Sequence, residues 1–258
     1  MEKRGQVTIF IIVAIVIVAL AVLIFLFYPK IQSTLGFGSE KSPSQFMQEC
    51  IEDEVQEAVD KLSSQGGSLN PEHYFVYLNE QVEYLCYTNQ YYVPCVMQQP
   101  MLKKHIEQEI KSAIQTKSEK CFDDLEKSFK KQGYSVDLKK ADLKVELLPK
   151  RVAVSFGNEL TISKSSTEKY DSIRVVLNNN LYELVSIVNS ILNWEAKYGD
   201  AETTTYMNYY HDLKVEKKKQ TDGTTVYVLT DRNNLNKFQF ASRSVAWPPG
   251  YGTEKVLG

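Results

Sequence analysis

Apolar and polar positions divide this chain into one unbroken apolar run and a long patterned remainder. From Ile9 to Tyr28 there is no charged residue and no Gly, Pro, Asn or Gln. Val, Ile, Leu, Phe and Ala fill the run, so a helix made from it is apolar on every side. About twenty residues at about 1.5 Å each reach about 30 Å, the hydrocarbon thickness of a bilayer. Residues 6–28 therefore predict a transmembrane helix with the lipid bilayer as its partner. Residues 1–5 form a basic leader with Lys3 and Arg4, and only Lys30 follows closely on the far side. The positive-inside preference then puts the N-terminus in the cytoplasm and the chain from about Pro29 outside. The apolar core is too long for a secretory signal peptide and runs into FLFYPK with no small-x-small cleavage site.

Beyond the run the pattern changes. Residues 29–44 mix Pro, Gly and Ser and read as a linker. Residues 45–64 place Phe46, Cys50, Ile51, Val55, Ala58 and Leu62 at three- and four-residue steps, a helical face capped by Ser44 and stopped by Gln65-Gly66-Gly67-Ser68. HYFVYL, VEYLCYT and YYVPCV within 73–96 read as short strands, with a turn at 88–91. Residues 101–131 predict a second amphipathic helix, ended by Gly133. Residues 142–163 predict a three-strand meander of LKVELL, RVAVSF and ELTIS. Residues 170–198 predict a further long helix, with Asp171 or Ser172 as cap and a stripe from Ile173 to Ile191. Residues 213–220 and 225–231 predict a hairpin around Asp222-Gly223, and 237–246 a last strand. Residues 247–258 are a tail. The expected fold is α+β: an N-terminal transmembrane helix followed by an extracytoplasmic domain, residues 45–246, of antiparallel strands packed with amphipathic helices.

Charge and cysteine content narrow the partners and the compartment. Thirty Lys and Arg against 32 Asp and Glu leave a net charge of −2. No concentrated basic surface follows from this, which argues against nucleic acid. The four cysteines all lie in the part placed outside. An even count in such a domain favours disulfides over a metal site. Three pairings are possible. A hairpin through residues 86–95 brings Cys86 near Cys95, and Cys50 and Cys121 sit on the apolar faces of two helices that can pack together. The expected bridges are therefore Cys86–Cys95 and Cys50–Cys121.

Candidate chemistry is sparse. His73, His105 and His211 belong to no local metal-binding spacing, and no nucleophile elbow or phosphate loop occurs. Glu52-Asp53-Glu54 and Asp123-Asp124 lie in helical segments and read as solvated faces. No catalytic residue, metal or cofactor is expected, and the chain is not read as an enzyme. Tyr84, Tyr87, Tyr91 and Tyr92 read as cross-strand packing. Tyr206, Tyr209 and Tyr210 lie in a polar loop, where they are candidates for a contact surface.

Lys3-Arg4-Gly5-Gln6-Val7-Thr8-Ile9-Phe10 resembles the class III signal peptide of archaeal type IV pilin-like proteins. The resemblance implies that a prepilin peptidase cuts between Gly5 and Gln6 and that the apolar helix remains as anchor and filament core. It therefore also implies self-assembly with other pilin-like subunits. Phe10 stands where many members carry Glu. A Cys early in the first helix with Gln-Gly-Gly at its end resembles uncharacterised pilin-like proteins of small-genome archaea, which adds no catalytic residue. The expected function is a membrane-anchored, single-pass cell-surface subunit with a structural or adhesive role. The alternative is an uncleaved surface protein whose ectodomain binds a ligand or protein partner.

Overall fold

The first helix begins where proline can begin one. In the computed structural model, which describes residues 17–18, 41–139 and 142–248, α1 (Pro43–Ser64) opens on Pro43, whose missing N–H is no loss in a first turn. That start lies two residues ahead of the expected one, so Ser44 sits inside the helix. Met47, Ile51, Val55, Val59 and Leu62 make its buried stripe. The helix stops as the two glycines require. Gly66 and Gly67 have φ of +83° and +103°, and the Gly67 N–H donates to the Leu62 carbonyl at 2.8 Å. A Cβ on Gly66 would lie 2.9 Å from that of Glu83, so the loop also needs glycine for close approach.

Three strands follow: β1 (Tyr74–Tyr77), β2 (Glu80–Tyr87) and β3 (Val96–Met97). The 30-residue α2 (Leu102–Lys131) is the longest described helix. It buries Leu102, Ile106, Ile110, Ile114, Cys121, Leu125 and Phe129. Next come β4 (Ser135–Lys139), β5 (Leu143–Leu148), β6 (Arg151–Phe156), β7 (Glu159–Ser163), β8 (Thr167–Tyr170) and β9 (Ile173–Asn178). Then follow α3 (Leu181–Tyr198), the short α4 (Thr204–Tyr209), β10 (Leu213–Lys219), β11 (Thr224–Asp231) and β12 (Lys237–Arg243). One sheet runs β1-β2-β12-β11-β10 with β3 beside β2; the others run β4-β7-β8 and β5-β6-β9. β12 lies parallel to β2, an arrangement no local turn encodes.

Two local expectations are corrected. ELTIS does not complete a meander. β5 and β6 pair as expected, but β7 pairs with β4, and β9 takes the free edge of β6. The stripe read as helical over 170–198 joins two elements. Ile173, Val175 and Leu177 alternate on one face of β9, and their spacing also fits a helix for the first and last. β-Branched Ile and Val favour the strand. The Asn179 side-chain oxygen then accepts the Leu181 N–H at 2.8 Å and starts α3 there, away from Asp171 or Ser172.

The expected fold class is corrected in part. The α+β class with antiparallel strands packed against amphipathic helices stands. The transmembrane helix does not: among the described residues no helix is long and apolar enough to cross a membrane. The physical reason is visible in each long helix. α2 carries one apolar stripe and Lys or Glu around the rest, and α3 packs its apolar face into the core with Glu183, Glu195 and Lys197 along its length. The leader, most of the run 6–28, the linker residues 29–40 and the tail residues 249–258 lie outside the described residues. One compact unit begins at Pro43.

Candidate functional site

The glycine stop of α1 throws Ser68 against two other elements. Its hydroxyl donates to Glu83 Oε2 of β2 at 2.5 Å and meets His105 Nε2 of α2 at 2.8 Å. One turn along α2, Glu109 Oε2 accepts the Leu69 N–H at 2.9 Å. Ser68 is buried, so this knot of side chains fixes the loop to both β2 and the start of α2. Beside it lies a cleft of about 470 Å³. Asn70, Glu72 and His73 form one wall, and Gln98 and Gln99, just before α2, form another. The His73 ring lies 4.7 Å from the Tyr84 ring and 4.2 Å from that of Tyr87, edge-on to the latter. Tyr84 is itself held by a 2.7 Å hydrogen bond between its hydroxyl and that of Thr224.

The cleft is acidic. Glu72, Glu83 and Glu109 line it with no Lys or Arg among the lining residues. Burial pushes the Glu83 carboxyl above its ordinary value, the Ser68 hydroxyl pulls it back, and repulsion from Glu109 and Glu72 adds to the rise. When Glu83 is ionised, the single hydroxyl proton of Ser68 points to it, so His105 must donate through Nε2. An imidazole in that role is not a base toward the serine. In that state the three groups form a clamp that shapes the wall. Among the described residues no group of three or more His, Cys, Asp or Glu can hold a metal ion.

The residues singled out from sequence are distributed unevenly. Cys50 bonds Cys121 and Cys86 bonds Cys95, the pairing expected. Cys86 stands opposite Met97, because 88–95 is mostly loop and β3 is two residues long. Tyr84 and Tyr87 pack, but Tyr91 and Tyr92 are exposed at 41% and 51%. Arg243 lies over the Tyr91 ring, and Tyr92 meets Trp247 edge-on at 5.1 Å. The tyrosines after α3 lie on α4 and its end, not in a loop, and they separate. Tyr206 packs against the core, its hydroxyl 2.8 Å from that of Ser190. Tyr209 and Tyr210 stay exposed at 82% and 53%. Of the three histidines, His73 and His105 come to the same cleft and His211 is exposed elsewhere. Gly5 and Gln6 lie outside the described residues.

Sequence reasoning missed the convergence of Ser68, Glu83, His105 and Glu109. The four belong to a loop, a strand and a helix, and no short motif joins them. It also missed Glu195, which is 2% exposed. The signal was there: Glu195 continues the Val188, Ile191, Leu192 stripe of α3, so a carboxylate had to enter the core.

Compared with protein-family models, with curated proteins and with solved structures, the chain matches none.

Proposed function

We propose that this chain is a cell-surface pilin-like subunit with a structural or adhesive role and no catalysis of its own, its disulfide-bonded unit facing outward. The observation that carries the outward placement is the pair of bridges. Every described cysteine is bonded, and Cys50–Cys121 and Cys86–Cys95 tie together core elements. Such bridges persist in oxidising surroundings and are rare where thiols are kept reduced. The Lys3–Phe10 sequence, with its resemblance to pilin leaders, supports the subunit part of the proposal. A prepilin peptidase and other pilin-like subunits are its implied partners.

The test is the intact mass of the mature chain isolated under non-reducing conditions. Loss of residues 1–5, leaving Gln6 at the N-terminus, with four hydrogens missing for two disulfides, is the expected result. A chain that retains Met1 would sink the pilin route. The polar cleft would then favour the second reading, an uncleaved surface protein whose outer unit binds a ligand.

A further inference from the structure

We infer that the cleft between the α1–β1 loop, β2 and the start of α2 is a binding site for a neutral saccharide. The assignment deepens the adhesive reading above and rests on it for its setting. Its volume, about 470 Å³, lies within the roughly 300–1,000 Å³ of small-molecule sites. The ligand class follows from which groups line it.

An anionic ligand is disfavoured, because Glu72, Glu83 and Glu109 converge on the cleft with no lining cation. A wholly apolar ligand is disfavoured too, since it would strip water from carboxylates and amides without replacing the hydrogen bonds. A bare ammonium matches the carboxylates but offers nothing to the side-chain N–H groups of Asn70 and Gln99; Gln98 Nε2 already donates to the Val96 carbonyl at 2.7 Å. Vicinal hydroxyls satisfy both kinds of partner. Each O–H donates to a carboxylate while its oxygen accepts from an amide or imidazole N–H. A pyranose also presents a C–H face. The His73 ring, held at 4.7 Å by Tyr84 and 4.2 Å by Tyr87, supplies an aromatic surface at the cleft wall for it.

The site is also built before any ligand arrives. Ser68 is buried and bonds Glu83 and His105, while Glu109 holds the loop backbone at Leu69. The walls therefore need no ordering on binding, which lowers the entropic cost. Asn70, Glu72 and His73, by contrast, are exposed at the rim, where a substitution leaves the clamp in place.

The experiment uses the full oxidised chain and saturation-transfer NMR with maltose, cellobiose, lactose and chitobiose at about millimolar concentrations, the range of weak single-site binding. At least one disaccharide is expected to bind. Asn70→Ala and Glu72→Gln should each weaken it about tenfold or more, with thermal transitions unchanged, and Tyr209→Ser should leave it intact. Absence of binding by all four sugars would overturn the inference. So would binding undiminished in both rim variants, or displacement of the sugar by a lysine-containing peptide at equal concentration. Processing at Gly5 plays no part in this readout: sugar binding by a chain that retains Met1 supports the inference and removes only the pilin route.

Discussion

Glu195 is where a single side chain most affects this molecule. Its carboxylate accepts from the Ala201 N–H at 2.9 Å, the Ser242 hydroxyl at 2.8 Å and the Tyr227 hydroxyl. These bonds tie the C-terminal end of α3 to β11 and β12. Burial pushes the Glu195 carboxyl above its ordinary value of 4.5, and the three donors only partly offset the rise. The same burial, with the neighbouring carboxylate, raises the Tyr227 hydroxyl. A raised carboxyl binds its proton more tightly folded than unfolded. Its contribution is therefore greatest below pH 4.5, falls as pH rises above that value, and levels off once the folded carboxyl is ionised. Glu195→Gln keeps an acceptor for Ala201 and Tyr227 and can donate to Ser242. Urea melts across this range should show the falling slope flattened, with stability at neutral pH within about 1 kcal/mol of the parent. Glu195→Ala orphans three buried donors and should cost about 3 kcal/mol or more. An alanine variant as stable as the parent would refute this role. Glu195 falls on the apolar stripe of α3, but the three donors that meet it, like the separation of Tyr206 from Tyr209, were not legible in sequence. Spacing along a helix says which residues share a face, not whether a polar member of that face meets three donors.

Among the elements, the contact between α1 and α2 is the main staple. Their apolar stripes face each other, and Cys50–Cys121 closes a separation of 71 residues; Cys86–Cys95 closes 9. Chain-entropy reasoning gives about 4 kcal/mol for the long loop and about 2.5 kcal/mol for the short one. Cys50→Ala with Cys121→Ala should therefore lower the denaturant midpoint more than Cys86→Ala with Cys95→Ala. The reverse order would mean that the short bridge acts mainly by holding the loop with Tyr91 and Tyr92 in place. Helical stripes, glycine stops and both bridges were legible because each depends on spacing within one or two segments. The split of 170–198 into β9 and α3 was not. Ile173 and Leu177 fit both periods, and the turn in which the Asn179 side-chain oxygen accepts the Leu181 N–H marks where the strand gives way to α3.

At the scale of the whole molecule, the long sheet ends in two unlike edges. β10 carries Lys217, Lys218 and Lys219, as expected of a protected edge. Lys217 is also held by Asp200 and by the Ala201 carbonyl at 2.7 Å. The opposite edge, β1, leaves Tyr74 and Val76 exposed, and Leu78 is exposed in the turn that follows. Replacing Lys218 and Lys219 together by Val removes two charges from the β10 edge without touching the core. Sedimentation should then show concentration-dependent association at about tens of micromolar, where the parent stays a single species by comparison. No change in sedimentation would mean that the lysines do not guard this edge.

The sequence by itself determined α1 and α2, their buried faces, the glycine stops and the cysteine partners. Each is set by periodicity or by the conformational demands of a few neighbouring residues. The tertiary structure decided which strands share a sheet, the parallel pairing of β12 with β2, and the cleft formed by Ser68, His73, Glu83 and His105. Those depend on packing between segments far apart in sequence. Hydrophobic patterning encodes the depth of a residue, and only the folded chain supplies its neighbours.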